Sequence, residues 1–169
     1  MTSSEILDQT IRDAKHQAWL ELRARKLREW VPDEHALSFL NDVSRISELW
    51  DDLIDQDKTI TPEAIHSAML SALISLPLNP FYQRHSTYLT PLMIHAINAW
   101  QDANQLSQGT RSQRALAYTL RHFDTQMLTA LVNLTQGYSK MREVSAEIWT
   151  FFVAEPDDFD EWMRGDKTT

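Results

Sequence analysis

The stretch Trp50-Asp51-Asp52-Leu53-Ile54-Asp55-Gln56-Asp57 is the densest concentration of potential chemistry in the chain. Asp51, Asp52 and Asp55 stand in DDxxD spacing, and Asp57 follows two residues later. Carboxylates at i and i+4 share a helix flank. Such a pair can hold one Mg²⁺, which takes oxygen ligands and keeps several of its waters. An ion held there could also touch a phosphate and neutralise a leaving group. Arg84, His85 and Arg121 are the candidates for binding that anion. The Arg84-His85 pair follows the proline-rich turn Leu76-Pro77-Leu78-Asn79-Pro80, and binding residues concentrate on such positioned loops. Asn79, Tyr82 and His122 could converge on the same place. The alternative for the aspartates is a solvated helix end.

A helical wheel at about 100° per residue narrows the motif. Asp51 and Asp55 fall on one flank, Asp52 points away with Glu48, and Asp57 lies beyond the expected helix end. Other chemistries leave no trace. There is no cysteine, hence no disulfide, thiolate site or cysteine nucleophile. Six histidines show no HExxH or comparable spacing, so each reads as a solvated or satisfied core residue. No glycine-rich phosphate loop or nucleophile elbow occurs.

The elements that must position these residues all read as helices. Residues 3–30 carry no Gly or Pro, and Pro32 ends the run because the residue before a proline leaves the α region. Asp33 caps a helix over 34–55, whose buried face is Leu37, Leu40, Val43, Ile46, Trp50, Leu53 and Ile54. Thr61-Pro62-Glu63 starts a third helix over 62–76, with Ile65, Ala68, Met69, Ala72, Leu73 and Leu76 as its buried stripe. Thr90-Pro91 repeats that start signal for a helix over 91–105. Residues 107–111 form a loop. A fifth helix runs over 111–135, with Leu116, Leu120, Phe123, Met127, Leu131 and Leu134 in register, and Gly137 is its C-terminal cap. A sixth spans 139–154, and a short acidic one carries Phe159 and Trp162.

Composition bounds the function classes. The chain has 169 residues, long enough to bury a core in one domain. Its formal charge of −8 disfavours a nucleic-acid binder, which needs basic surface to neutralise phosphate. Residues 1–30 hold six Lys/Arg against five Asp/Glu, a net of +1, whereas residues 31–169 hold ten against nineteen, so the first helix differs in charge from the body. That helix reads either as packed on its own body or as an arm that docks elsewhere through Trp19, Leu22, Leu27 and Trp30. Trp162 is a further interface candidate, whereas Trp50, Trp100 and Trp149 read as core. No apolar run reaches the ~20 residues of a membrane span, and the N-terminus lacks the pattern of a secretory signal. A cytoplasmic location is expected.

Two resemblances add to this reading. The DDxxD residues Asp51, Asp52 and Asp55, with the helix from Phe39 to Trp50, resemble the motif helix of class I trans-isoprenyl diphosphate synthases of the squalene and phytoene branch. That resemblance implies an all-α bundle and Mg²⁺ at those three aspartates. It lacks a second acidic helix: Asn133 to Glu143 supplies only a Ser-xxx-Glu fragment. More broadly, WDDLIDQDK, LPLNPFYQRH and AINAWQDAN are similar to small, uncharacterised helical proteins of tailed bacteriophages. That resemblance implies a source, host cytoplasm or virion, without an activity.

The expected fold is all-α, an irregular bundle of six or seven helices around a single core. It is divided into a first helix or arm (1–31) and a bundle domain (32–169), with 34–55, 62–76, 91–105 and 111–135 as core helices. The leading expectation for function is a phage-type accessory or structural protein acting by protein–protein contact or self-association, without a cofactor. The other is a small Mg²⁺-dependent enzyme acting on a phosphorylated or diphosphate substrate.

Overall fold

The computed structural model describes residues 3–56, 58–153 and 156–164. Its helices are α1 (Ser3–Trp30), α2 (Glu34–Asp55), α3 (Pro62–Leu78), α4 (Pro80–Leu106), α5 (Arg111–Arg121), α6 (Asp124–Gln136), α7 (Tyr138–Val153) and α8 (Pro156–Arg164). No strand occurs among the described residues. The fold is all-α as expected. Among the described residues the helices number seven when α5 and α6, which follow one another directly, are taken together.

Local chemistry sets most boundaries. The Asp33 carboxylate accepts from the His35 and Ala36 amides at 2.8 and 3.0 Å, which starts α2. Gln56 ends it in the left-handed region at φ 53°. Thr61 caps α3 through the Ala64 amide, with Pro62 in the first turn. Gly137 closes α6 at φ 87° and ψ 170°, a conformation essentially reserved for glycine.

Three boundaries differ from expectation. The fourth helix starts at Pro80, because Asn79 caps it by accepting from the Phe81 and Tyr82 amides. Pro91 therefore lies inside α4. A proline there forfeits one backbone bond, and the flanking contacts hold the helix: Leu89 is fully buried and the Tyr82 and Thr90 hydroxyls lie 2.9 Å apart. The expected helix over 111–135 breaks at His122 and Phe123. Their amides bond three residues back, to Thr119 and Leu120, which tightens the turn and redirects the chain. Leu116, expected in register with the core, is consequently exposed.

The third difference matters most. Residues 71–75 of α3 form a π turn. A π turn takes up one extra residue, so every later position lags by about 100° on the wheel. Leu76 is thereby returned to the inward face with Ala68 and Ser71, and these are buried. Ile65, Met69 and Leu73, expected in the same buried stripe, are exposed.

The core joins α2 to the ends of other helices. Phe39 lies between Phe81 and Tyr82 of α4, and Met127, Leu131 and Val132 of α6 face Val144 and Ile148 of α7. From α3 only Leu76 joins this cluster. In compensation, α1 supplies Leu27, Trp30 and the following Val31. Trp30 packs edge-on against Phe151, and its carbonyl accepts from Gln136 at 2.7 Å. Lys26 reaches Glu147 at 2.7 Å. The Glu147 carboxylate holds the Lys26 ammonium above its usual range, and Lys26 in turn holds Glu147 below. The last turn of α1 is thus built into the body. Residues 13–20 expose every side chain.

Candidate functional site

The DDxxD residues separate as the wheel requires. Asp51 and Asp55 face α5, where the Arg121 guanidinium reaches both: 3.0 Å to Asp51 Oδ1 and 3.4 Å to Asp55 Oδ2. Asp52 turns away and pairs with Lys58 at 3.2 Å. Asp57 lies outside the described residues. The flank shared by Asp51 and Asp55 already holds a cation, supplied by the chain 66 and 70 residues downstream.

Neighbours fix this arrangement. The Trp100 indole donates to Asp51 Oδ1 at 2.8 Å, and its ring lies 4.9 Å from that of Trp50. Asn104 accepts from Arg121 at 3.4 Å, and the guanidinium lies over the Trp162 ring at 5.3 Å. Trp162 donates to the Arg114 carbonyl at 2.8 Å, which holds α8 on α5. The cluster therefore ties α2, α4, α5 and α8 together. Arg121, proposed to bind a substrate anion, binds the protein's own carboxylates.

The other anion candidates lie apart from it. Arg84 is exposed near the start of α4, and the His85 ring lies tilted against Phe81 with centroids 4.6 Å apart. Neither shares a contact with the aspartates. Asn79 caps α4 and donates to the His35 carbonyl. His122 bonds the Tyr118 carbonyl at 2.8 Å. Among the described residues no group of three His, Asp or Glu side chains is placed to hold a metal ion. Arg121 and Lys58 each pair with one oxygen of these carboxylates: Arg121 with Asp51 Oδ1 and Asp55 Oδ2, Lys58 with Asp52 Oδ1.

Beside the cluster a groove of about 410 Å³ opens between α2 and α4. Val43, Met93, Ile97 and Met127 are among its apolar lining residues, and Arg23, Glu48, Asp51 and Arg121 line it as well.

Sequence reasoning missed a buried polar link. The Ser71 hydroxyl donates to Asp42 Oδ1 at 2.7 Å, and Arg45 donates to Ser71 at 2.9 Å. Asp42 and Ser71 are both buried, and Ser71 is the first residue of the π turn. A polar residue at an otherwise apolar helix position was the available signal.

The surface that could bind a partner also moves. Leu27 and Trp30, expected in a docking face on α1, belong to the core, because the last turn of α1 is enclosed by α6 and α7. Leu22 is half-buried, and Trp19 is stacked on Phe151 with 38% of its surface exposed. The larger apolar surface is α3. Ile65, Met69, Leu70, Leu73, Ile74 and Leu78 are each between 41% and 66% exposed.

The chain matches no protein-family model, no curated protein and no solved structure.

Proposed function

We propose that this chain works by protein–protein contact, as an accessory or structural component of the kind tailed phages encode, with α3 as its contact surface. The observation that carries this reading is the outward face of α3, six large apolar side chains left exposed among the described residues. Scattered exposed apolar residues are ordinary, but a contiguous set on one helix marks an interaction site. The Asp51–Arg121–Asp55 cluster serves in this reading as a clamp that joins α2 to α5. The alternative is a Mg²⁺-dependent enzyme acting on a phosphorylated or diphosphate substrate, in which the metal ion competes with Arg121 for both carboxylates.

A photo-crosslinking residue at Leu73 tests the contact in the cell of origin or an expression host supplied with its proteins. The expected result is a discrete crosslinked protein species, lost when Leu70 is changed to Lys. Crosslinking to no protein at all overturns the reading.

A further inference from the structure

We infer that the partner covering α3 is a second copy of this chain, with α3 packed on α3 about a twofold axis. The inference rests on the reading of α3 as the contact surface. Geometry favours a self-complementary face. Ile65, Met69 and Leu73 recur every four residues, as do Leu70, Ile74 and Leu78, and all are exposed. Two such rows form ridges along the outward face, interrupted by the π turn at residues 71–75, and ridges of one helix pack into the grooves of another. A twofold axis presents identical ridges from both copies.

The size fits. Six side chains at roughly 100 Å² of apolar surface each give on the order of 600 Å². That reaches the top of the range for monomer patches. With its polar margin it approaches the roughly 800 Å² per partner of a stable interface.

The charge distribution points to the same occupant. No Asp, Glu, Lys or Arg occurs from Ala64 to Gln83, in a chain of net charge −8. The face offers no charge pattern to select a different partner, and no like charges to repel its own copy. The polar residues on this stretch are His66, Ser67, Ser71, Ser75, Asn79, Tyr82 and Gln83. A bilayer surface fits less well. Peripheral helices use Lys and Arg flanking the apolar face to engage anionic headgroups, and α3 has neither. Although α3 and α4 together are apolar enough to pass for a span, they meet at a 95° bend.

Light scattering of the purified chain at tens of micromolar tests this. The expected mass is twice the 19.7 kDa of one chain. Leu70→Lys with Leu73→Lys, both exposed positions, should leave circular dichroism unchanged and raise the dissociation constant by at least about a hundredfold. A wild type that remains at 19.7 kDa overturns the inference, as does a double variant that keeps the doubled mass. So does a monomer that sediments with phosphatidylcholine–phosphatidylglycerol vesicles. A monomer that crosslinks through Leu73 to a different protein refutes the second copy and leaves the contact reading standing. A monomer that crosslinks to no protein refutes both.

Discussion

Replacing Arg121 with Met separates the clamp reading from the metal reading. The substitution keeps the aliphatic stem and removes the guanidinium. Asp51 loses a charge-assisted bond of 3.0 Å but keeps the Trp100 indole at 2.8 Å. The bonds to Asp55 and Asn104, both 3.4 Å, are long and contribute less. A hydrogen bond to a charged group contributes about 1.5–3 kcal/mol. The carboxylates are about a third exposed, so water screens part of this. The expected loss is about 1–2 kcal/mol, a fall in Tm of roughly 3–6 °C for a chain of this size. The variant also leaves two carboxylates on one flank without a cation. Mg²⁺ at about ten times its dissociation constant should then restore about 1.4 kcal/mol to the variant, and Asp55→Asn should cancel that recovery. The wild type should show no such rise, because its guanidinium already fills the place. Thermal melts of both proteins with and without 10 mM-scale Mg²⁺ provide the assay. A wild type stabilised as strongly as the variant would refute the clamp and restore Asp51 and Asp55 as metal ligands.

Three further outcomes follow from the same packing. Trp30→Ala should cost about 3–5 kcal/mol in urea denaturation, as for a fully buried aromatic; Trp19→Ala, more than a third exposed, should cost well under half of that. Ser71→Ala should cost about 1–3 kcal/mol, since it removes the short bond to the buried Asp42 carboxylate. The Lys26–Glu147 contact predicts a pH window for α1 docking. Glu147, held below its ordinary 4.5, stabilises above that value and loses the contribution as pH falls through its folded pKa. Lys26, held above 10.5, stabilises below that value and loses the contribution as pH rises through its folded pKa. Amide exchange in the last turns of α1 should therefore accelerate at both extremes, and Glu147→Gln should remove the acid limb.

What the sequence discloses and what it hides follow from the range of the interactions involved. Boundaries set within one turn were legible: the Asp33 cap, the Thr61-Pro62 start and Gly137 at φ 87° each involve neighbours only. The division of Asp51 and Asp55 from Asp52 was legible too, because helix geometry alone produces it. The identity of the cation between them was not. Arg121 lies 70 residues from Asp51, and only the break at His122–Phe123 and the packing of α5 bring it there. That break has no glycine or proline to announce it. Pro91 failed in the opposite sense. Its local signal was that of a helix start, and the cap at Asn79 twelve residues earlier had already begun the helix. Trp30 belonged to a helix whose basic flank suggested an arm, but its burial depends on Phe151, Phe152 and Gln136, all more than a hundred residues away.

The exposure of α3 is locked in place by the same π turn that the apolar pattern concealed. Ala68, Ser71 and Leu76 share the inward face only because the extra residue returns Leu76 by about 100°. Rolling the helix to bury Leu73 and Leu70 would carry Ser71 away from Asp42. The Asp42 carboxylate, 5% exposed, would keep only Arg45 at 3.5 Å. Leaving a buried charged group so poorly satisfied costs at least about 1–3 kcal/mol, and Leu76 would leave the core as well. The roll would also expose as much of α3 as it buried, since its apolar positions encircle most of the helix. Rolling α3 against the described residues therefore does not cover Leu70, Leu73, Ile74 and Leu78 together. In the proposed reading a second copy covers that face, which makes the oligomeric state the decisive measurement.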